Sequence, residues 1–194
     1  MTPQRNSSSP IYAAAWWKVF FVTTFLLAAA GSSRLEAQIQ QVEEKFRGTA
    51  KLLAGNWHGA GIFSSGRKIA ANATIQYDSL SHALTYHHVD EAPATWNCLA
   101  VWSVSKSDST LVVLFADGFS GGRIFRSDEW GQTRIVLKRS FTKQGLPAYE
   151  RFIYEILHPT EFKMTWETSQ DGLVWKMGDY LIFDKTPSQP DPVR

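Results

Sequence analysis

The stretch Leu53–Phe63, LAGNWHGAGIF, sets Gly55, Trp57, Gly59 and Gly61 at alternate positions. Alternate residues of an extended chain share one face, so these four line up together. Glycine weakens an ordinary strand, but it allows sharp bending and close approach of a neighbouring backbone. A strand that closes a small barrel needs both. Trp57 adds bulk at one point of that face and can plug a barrel end. The motif reads as architecture, because glycine brings no reacting group.

Upstream, residues 38–53 space Ile39, Val42, Phe46 and Ala50 at helical intervals, and Gly55 ends the run. From Asn56 onward the period changes to two. Alternating runs fall near 56–63, 68–77, 82–90, 96–105, 110–116, 121–127, 131–140, 149–157, 161–168 and 173–184. Turn-forming segments such as SSGR, DSLS, ADGFSGG and SQDG separate them. Loops this short join antiparallel neighbours. The expected fold is therefore all-β: an antiparallel up-and-down meander closing into a barrel of about ten strands, with one short helix before it.

The last hairpins can be placed in register. A two-residue loop would put Pro159 where the favoured hairpin turn needs positive φ, which its ring forbids. A three-residue loop, 158–160, sets Phe152, Tyr154 and Ile156 opposite Trp166, Met164 and Phe162. The other face then pairs Arg151 with Glu167 and Glu155 with Lys163. Taking SQDG as the next loop sets Trp166 opposite Trp175, Met164 opposite Met177 and Phe162 opposite Asp179. The expected interior row is Phe152, Tyr154, Ile156, Phe162, Met164, Trp166, Trp175, Met177, Leu181 and Phe183, with Asp179 its one carboxylate. A carboxylate there needs a partner, access to water or a place at a barrel end.

With 194 residues, net charge +2 and 20% charged side chains, the chain has room for one sizeable core. Lys and Arg are scattered among the acids, which argues against nucleic acid. Residues 1–37 follow the plan of a signal peptide. Arg5 and Lys18 precede an apolar run, Val19–Ala30, and small residues lead to a cut after Ala37 or Ala30. The run is short for a membrane span, so cleavage and a secreted or periplasmic location are expected, with a retained anchor as the alternative. The barrel domain then covers 38–185, and 186–194 reads as a disordered tail. Cys98 is the single cysteine and sits in an apolar setting, as a small core residue would.

The segment LLAGNWHGAG resembles the G-x-W-x-G-x-G opening of lipocalin-like barrels. Together with the meander and the closing ETSQDGLVWKMGDYLIFDK, it is similar to an uncharacterised bacterial family of exported, lipocalin-like (calycin-type) proteins. The resemblance spans about 50–185 and implies a barrel, but no agreed activity. Nitrobindins share the opening and hold haem through a histidine near the C-terminal end of the barrel. No histidine occurs from 159 to 194 here, so that axial ligand is missing and no haem, or other cofactor, is expected.

Other chemistry has bland readings. His87 and His88 are adjacent and point to opposite faces, and His82 and His88 lie about 20 Å apart along a strand. No metal site is expected. No G-x-S-x-G elbow exposes a nucleophile, and no catalytic residue is assigned. Ser169 and Asp171 are suited to bond loop amides. The candidate ligand contacts are Tyr154, Met164, Trp166, Trp175, Met177 and Asp179, for a small apolar or amphipathic molecule. The alternatives are an interaction or structural domain with a filled core, meeting a partner through Asp117–Gly122, and a barrel hydrolase or isomerase using Asp179.

Overall fold

The computed structural model describes residues 36–187; the signal-like segment 1–37 lies outside them except for Glu36 and Ala37, which open the helix, and 188–194 of the proline-rich tail lie outside as well. A helix spans 36–53, and ten strands follow. They are β1 (Gly55–Phe63), β2 (Lys68–Asp78), β3 (Ala83–Asp90), β4 (Asn97–Val104), β5 (Leu111–Asp117), β6 (Gly121–Ser127), β7 (Arg134–Lys143), β8 (Leu146–His158), β9 (Glu161–Ser169) and β10 (Lys176–Thr186). Each pairs with its successor and β1 pairs with β10, so the sheet closes on itself. Among the described residues, closure leaves every strand with a neighbour on both sides, the β6–β7 ladder being the thinnest. Every expected strand is present, with β10 running on to Thr186.

The opening glycines seal the ring. A Cβ at Gly61 would lie 1.8 Å from the Tyr180 carbonyl oxygen, and one at Gly59 would lie 2.6 Å from the Phe183 ring. Both contacts cross the β1–β10 pairing, where only glycine lets the strands meet. Trp57 points inward, 2% exposed, with its ring edge-on to Phe162 at 4.8 Å and its indole N–H donating to the Leu53 carbonyl at 2.8 Å. It plugs the end of the barrel from which β1 starts.

From Val42 onward the chain forms one compact unit. Phe46, Ala50 and Leu53 on the inward side of the helix are buried across that same end. Phe46 packs edge-on to Tyr77, at the close of β2, and to Trp130, in the β6–β7 connection. The opposite end carries the β1–β2, β3–β4 and β5–β6 turns and has no such cover among the described residues.

The β8–β9 register is as expected: Phe152 faces Trp166, Tyr154 faces Met164 and Ile156 faces Phe162. Outside, Arg151 pairs with Glu167 at 2.5 Å and Lys163 with Glu155 at 3.9 Å. The turn itself differs. His158 pairs with Glu161, leaving the two-residue loop Pro159–Thr160, and a bulge falls at Leu157. No residue of this loop has positive φ. The bulge adds the twist that a mirror-image turn would otherwise supply, so proline is accommodated.

The β9–β10 register is a larger correction. Trp166 faces Asp179, Met164 faces Leu181 and Phe162 faces Phe183. Ser169 Oγ accepts from the amides of Asp171 and Gly172, and Asp171 Oδ1 accepts from those of Leu173 and Val174. The loop is therefore wound through Trp175, longer than SQDG alone. A bulge at Gly178 then shifts the strand. A Cβ at Gly178 would lie 2.2 Å from the Trp166 ring, so glycine makes room for that indole. Trp175 and Met177, expected inside, lie outside: the Arg151 guanidinium stacks 4.1 Å over Trp175, and Met177 is 37% exposed.

Candidate functional site

The uncovered end of the barrel leads into a cavity of about 490 Å³. Its mouth is formed by Phe63 at the end of β1, Arg67 of the turn that follows, 93–96 before β4, and Phe119 and Ser120 after β5. Its walls include Ile69, Trp96, Phe152, Met164, Trp166 and Leu181. These residues point inward because each strand alternates from a buried position near its end. In β3, Leu84, Tyr86 and His88 are buried while Thr85 and His87 face outward.

Three polar arrangements meet the cavity. The first runs along β3. Tyr86 Oη lies 2.7 Å from His88 Nδ1, and His88 Nε2 lies 2.9 Å from Asp90 Oδ1. With its proton on Nε2, the imidazole donates to Asp90 and accepts from Tyr86, so each group in the chain is satisfied. Burial pushes the Tyr86 phenol well above its usual value. It stays protonated and able to donate. His88 also packs against Trp96, ring centres 4.6 Å apart.

The second arrangement is a buried ion network in the wall. Arg123 Nη1 donates to both Glu150 oxygens, at 3.1 and 3.2 Å, and Nη2 donates to Asp117. Arg139 also donates to Glu150, and the Trp166 indole N–H points at the same carboxylate from 3.4 Å. Burial opposes ionisation of Asp117, but the amides of Ser120 and Phe119 together with Arg123 outweigh it and hold the carboxyl below its usual range. The network spans β5 to β9 where the ladder is thin, since β6 and β7 share one register pair, Arg126 with Lys138. Side-chain bonds join the wall where backbone bonds do not. Two cations meet two carboxylates, so the network presents no net charge.

The third is Asp179 alone. It lines the cavity beside Trp166 and makes no hydrogen bond or ion pair among the described residues. Burial first, and Asp90 second, push its carboxyl up to about 7. Of the choices open to an interior carboxylate, it takes the barrel end.

Of the candidate residues, the structure brings Met164, Trp166 and Asp179 together on the cavity wall. Tyr154 is interior but deeper, edge-on to Trp102 at 5.0 Å, with its buried hydroxyl unpaired. Trp175 and Met177 are on the outer surface. Cys98 is buried, and burial pushes its thiol up to about 12, leaving it inert. Sequence reasoning missed His88, Asp90, Trp96, Arg123 and Phe119. The signal for the first two was present: Leu84, Tyr86, His88 and Asp90 alternate on one face of a strand whose first members are apolar. Arg123 had no such signal, because Glu150, which takes two of its hydrogen bonds, comes from β8, two strands on. Among the described residues, no group of three His, Cys, Asp or Glu side chains is arranged to hold a metal ion. No described helix is long and apolar enough to cross a membrane.

No family model matches this chain, and no curated protein matches it. Among solved structures, EF1p2_mFAP2b bound to DFHBI is similar to 71% of this chain and 97% of that chain, at 13% identity and a TM-score of 0.38. A likeness at that score carries no functional conclusion, and the barrel rests on its own strand pairing.

Proposed function

We propose that this protein is a lipocalin-like binder that takes a small, largely apolar molecule into the cavity at the uncovered end of its barrel. The observation that supports this most is the cavity itself. About 490 Å³ lies within the size of small-molecule sites, and its walls combine aromatic and aliphatic side chains with a few polar groups. Burial of the ligand's apolar surface would supply affinity, and Asp179 with the groups of β3 would supply orientation. The filled-core alternative fits only the helix-covered half of the barrel. Export belongs to the same reading, on the signal-like plan of residues 1–37.

The test is a titration with Nile red, a neutral dye that brightens in apolar surroundings. Wild type should bind it saturably at one site. Ala94→Trp, which fills the mouth, should weaken binding by about tenfold or more, the equivalent of 1.4 kcal/mol. Leu80→Ser removes an exposed apolar side chain at the other end and should leave the titration unchanged. Binding that survives Ala94→Trp but falls in Leu80→Ser would overturn the proposal.

A further inference from the structure

Five ionisable side chains line the cavity: Arg67, His88, Asp90, Arg123 and Asp179. His88 and Asp90 are bonded to each other. Arg123 is held by Asp117 and Glu150, with Arg139 sharing Glu150. Arg67 is at the exposed mouth, its guanidinium 4.6 Å over the Phe63 ring. Asp179 alone is both sheltered and without a partner. The groups around it are Asp90 and His88 on β3, Arg123 on β6 and Arg67 in the first turn. Of these, Asp90 acts on Asp179 by charge repulsion.

We infer that the cavity selects a positively charged amphiphile, an apolar body bearing an amine or amidinium that seats against Asp179. This rests on the binding reading above and names its ligand class. A half-buried carboxylate that shares a cavity with another carboxylate is costly, and a ligand cation relieves both the desolvation and the repulsion. The surrounding rings favour the same charge. Trp96, Trp166 and Phe119 line the space, Phe63 already holds the Arg67 guanidinium over its ring, and a cation over an aromatic face is attracted by its quadrupole. An anionic ligand would meet Asp179 and Asp90 inside, where Arg123 is already neutralised; the remaining cation, Arg67, is stacked on Phe63 at the mouth.

Three probes of one shape separate the contributions: naphthylmethylamine, naphthylmethanol and naphthoate, titrated by calorimetry. At about pH 8 the amine should bind wild type roughly tenfold or more tighter than the alcohol, as a charge-assisted hydrogen bond supplies, and naphthoate should bind most weakly. The amine stays protonated on acidification while Asp179 takes up a proton. Its advantage should therefore shrink to under about threefold near pH 5.5. Asp179→Asn should bind the alcohol as wild type does, show no preference for the amine, and lose this pH dependence. Equal binding of amine and alcohol by wild type would overturn the charge selection and leave the cavity reading standing. An amine preference retained in Asp179→Asn would overturn Asp179 as its seat. Failure of all three probes would overturn both.

Discussion

The two ends of this barrel are built from opposite materials. At the end where β1 begins, Phe46, Ala50, Leu53, Trp57 and Trp130 are buried together, and the helix covers the opening. At the other, the strands finish in His88, Asp90, Arg123 and Asp179, and the turns surround a cavity. The first end repeats the logic of any close-packed core, where apolar area leaves water and each side chain touches several others. The second departs from it, leaving space unfilled and a carboxylate unpaired. The contrast teaches that close packing and open, polar-lined space are housed separately along one barrel axis. The open end can hold groups that destabilise, because the covered end supplies the packing.

Truncation at the covered end should have the largest effect. Leu53→Ala deletes a side chain 1% exposed and should cost about 3 kcal/mol in urea unfolding, within the usual range for buried leucines. Nile red affinity should stay within about twofold of wild type, a change smaller than half a kcal/mol. A large loss of dye binding without loss of stability would break the division between the ends.

Asp179→Asn should have an intermediate effect, with a sign that depends on pH. Because the native carboxyl is raised to about 7, its contribution to stability is fully present below the ordinary carboxylate value and is lost as pH rises through 7. The asparagine variant carries no such dependence. It should gain on wild type between about pH 5 and pH 8, and the gap should be widest on the alkaline side. Unfolding curves at several pH values measure this. A gap that stays constant across the range would show that the carboxyl does not titrate there.

Phe119→Ala should have the smallest effect on the fold and the opposite signature to Leu53→Ala. Phe119 is 69% exposed at the mouth, so its loss should change stability by under about 0.5 kcal/mol. Dye binding should still weaken, because that ring forms part of the mouth. Equal dye affinity in wild type and Phe119→Ala would move the ligand deeper, away from the β5–β6 turn.

The covered end was far more legible in the sequence than the open one. Gly55, Trp57, Gly59 and Gly61 announce closure through local geometry, and Ile39, Val42, Phe46 and Ala50 announce a helix through their spacing. Both signals are short-range. The open end depends on register, and register there turns on two local events that alternation does not show. The Ser169–Asp171 bonds extend a loop past SQDG, and Gly178 introduces a bulge that admits the Trp166 ring. Together they put Asp179 in place of Trp175 beside Trp166, Leu181 in place of Met177 beside Met164, and Phe183 in place of Asp179 beside Phe162. The Arg123 network lay beyond reach for a different reason. Asp117 and Arg123 share the β5–β6 hairpin and Arg139 and Glu150 the β7–β8 hairpin, and only the packing of one hairpin against the other brings Glu150 to the Arg123 guanidinium.

Methionine supplies the most direct measurement. The chain has three, Met1, Met164 and Met177, and the last two sit on opposite sides of the wall: Met164 is 2% exposed and lines the cavity, while Met177 is on the outer surface. With carbon-13 in the methionine methyl groups, naphthylmethanol should shift the Met164 resonance in a saturable way and leave Met177 in place. A shift confined to Met177, or none at saturating probe, would contradict the claim that the uncovered end of the barrel is where this protein takes its ligand.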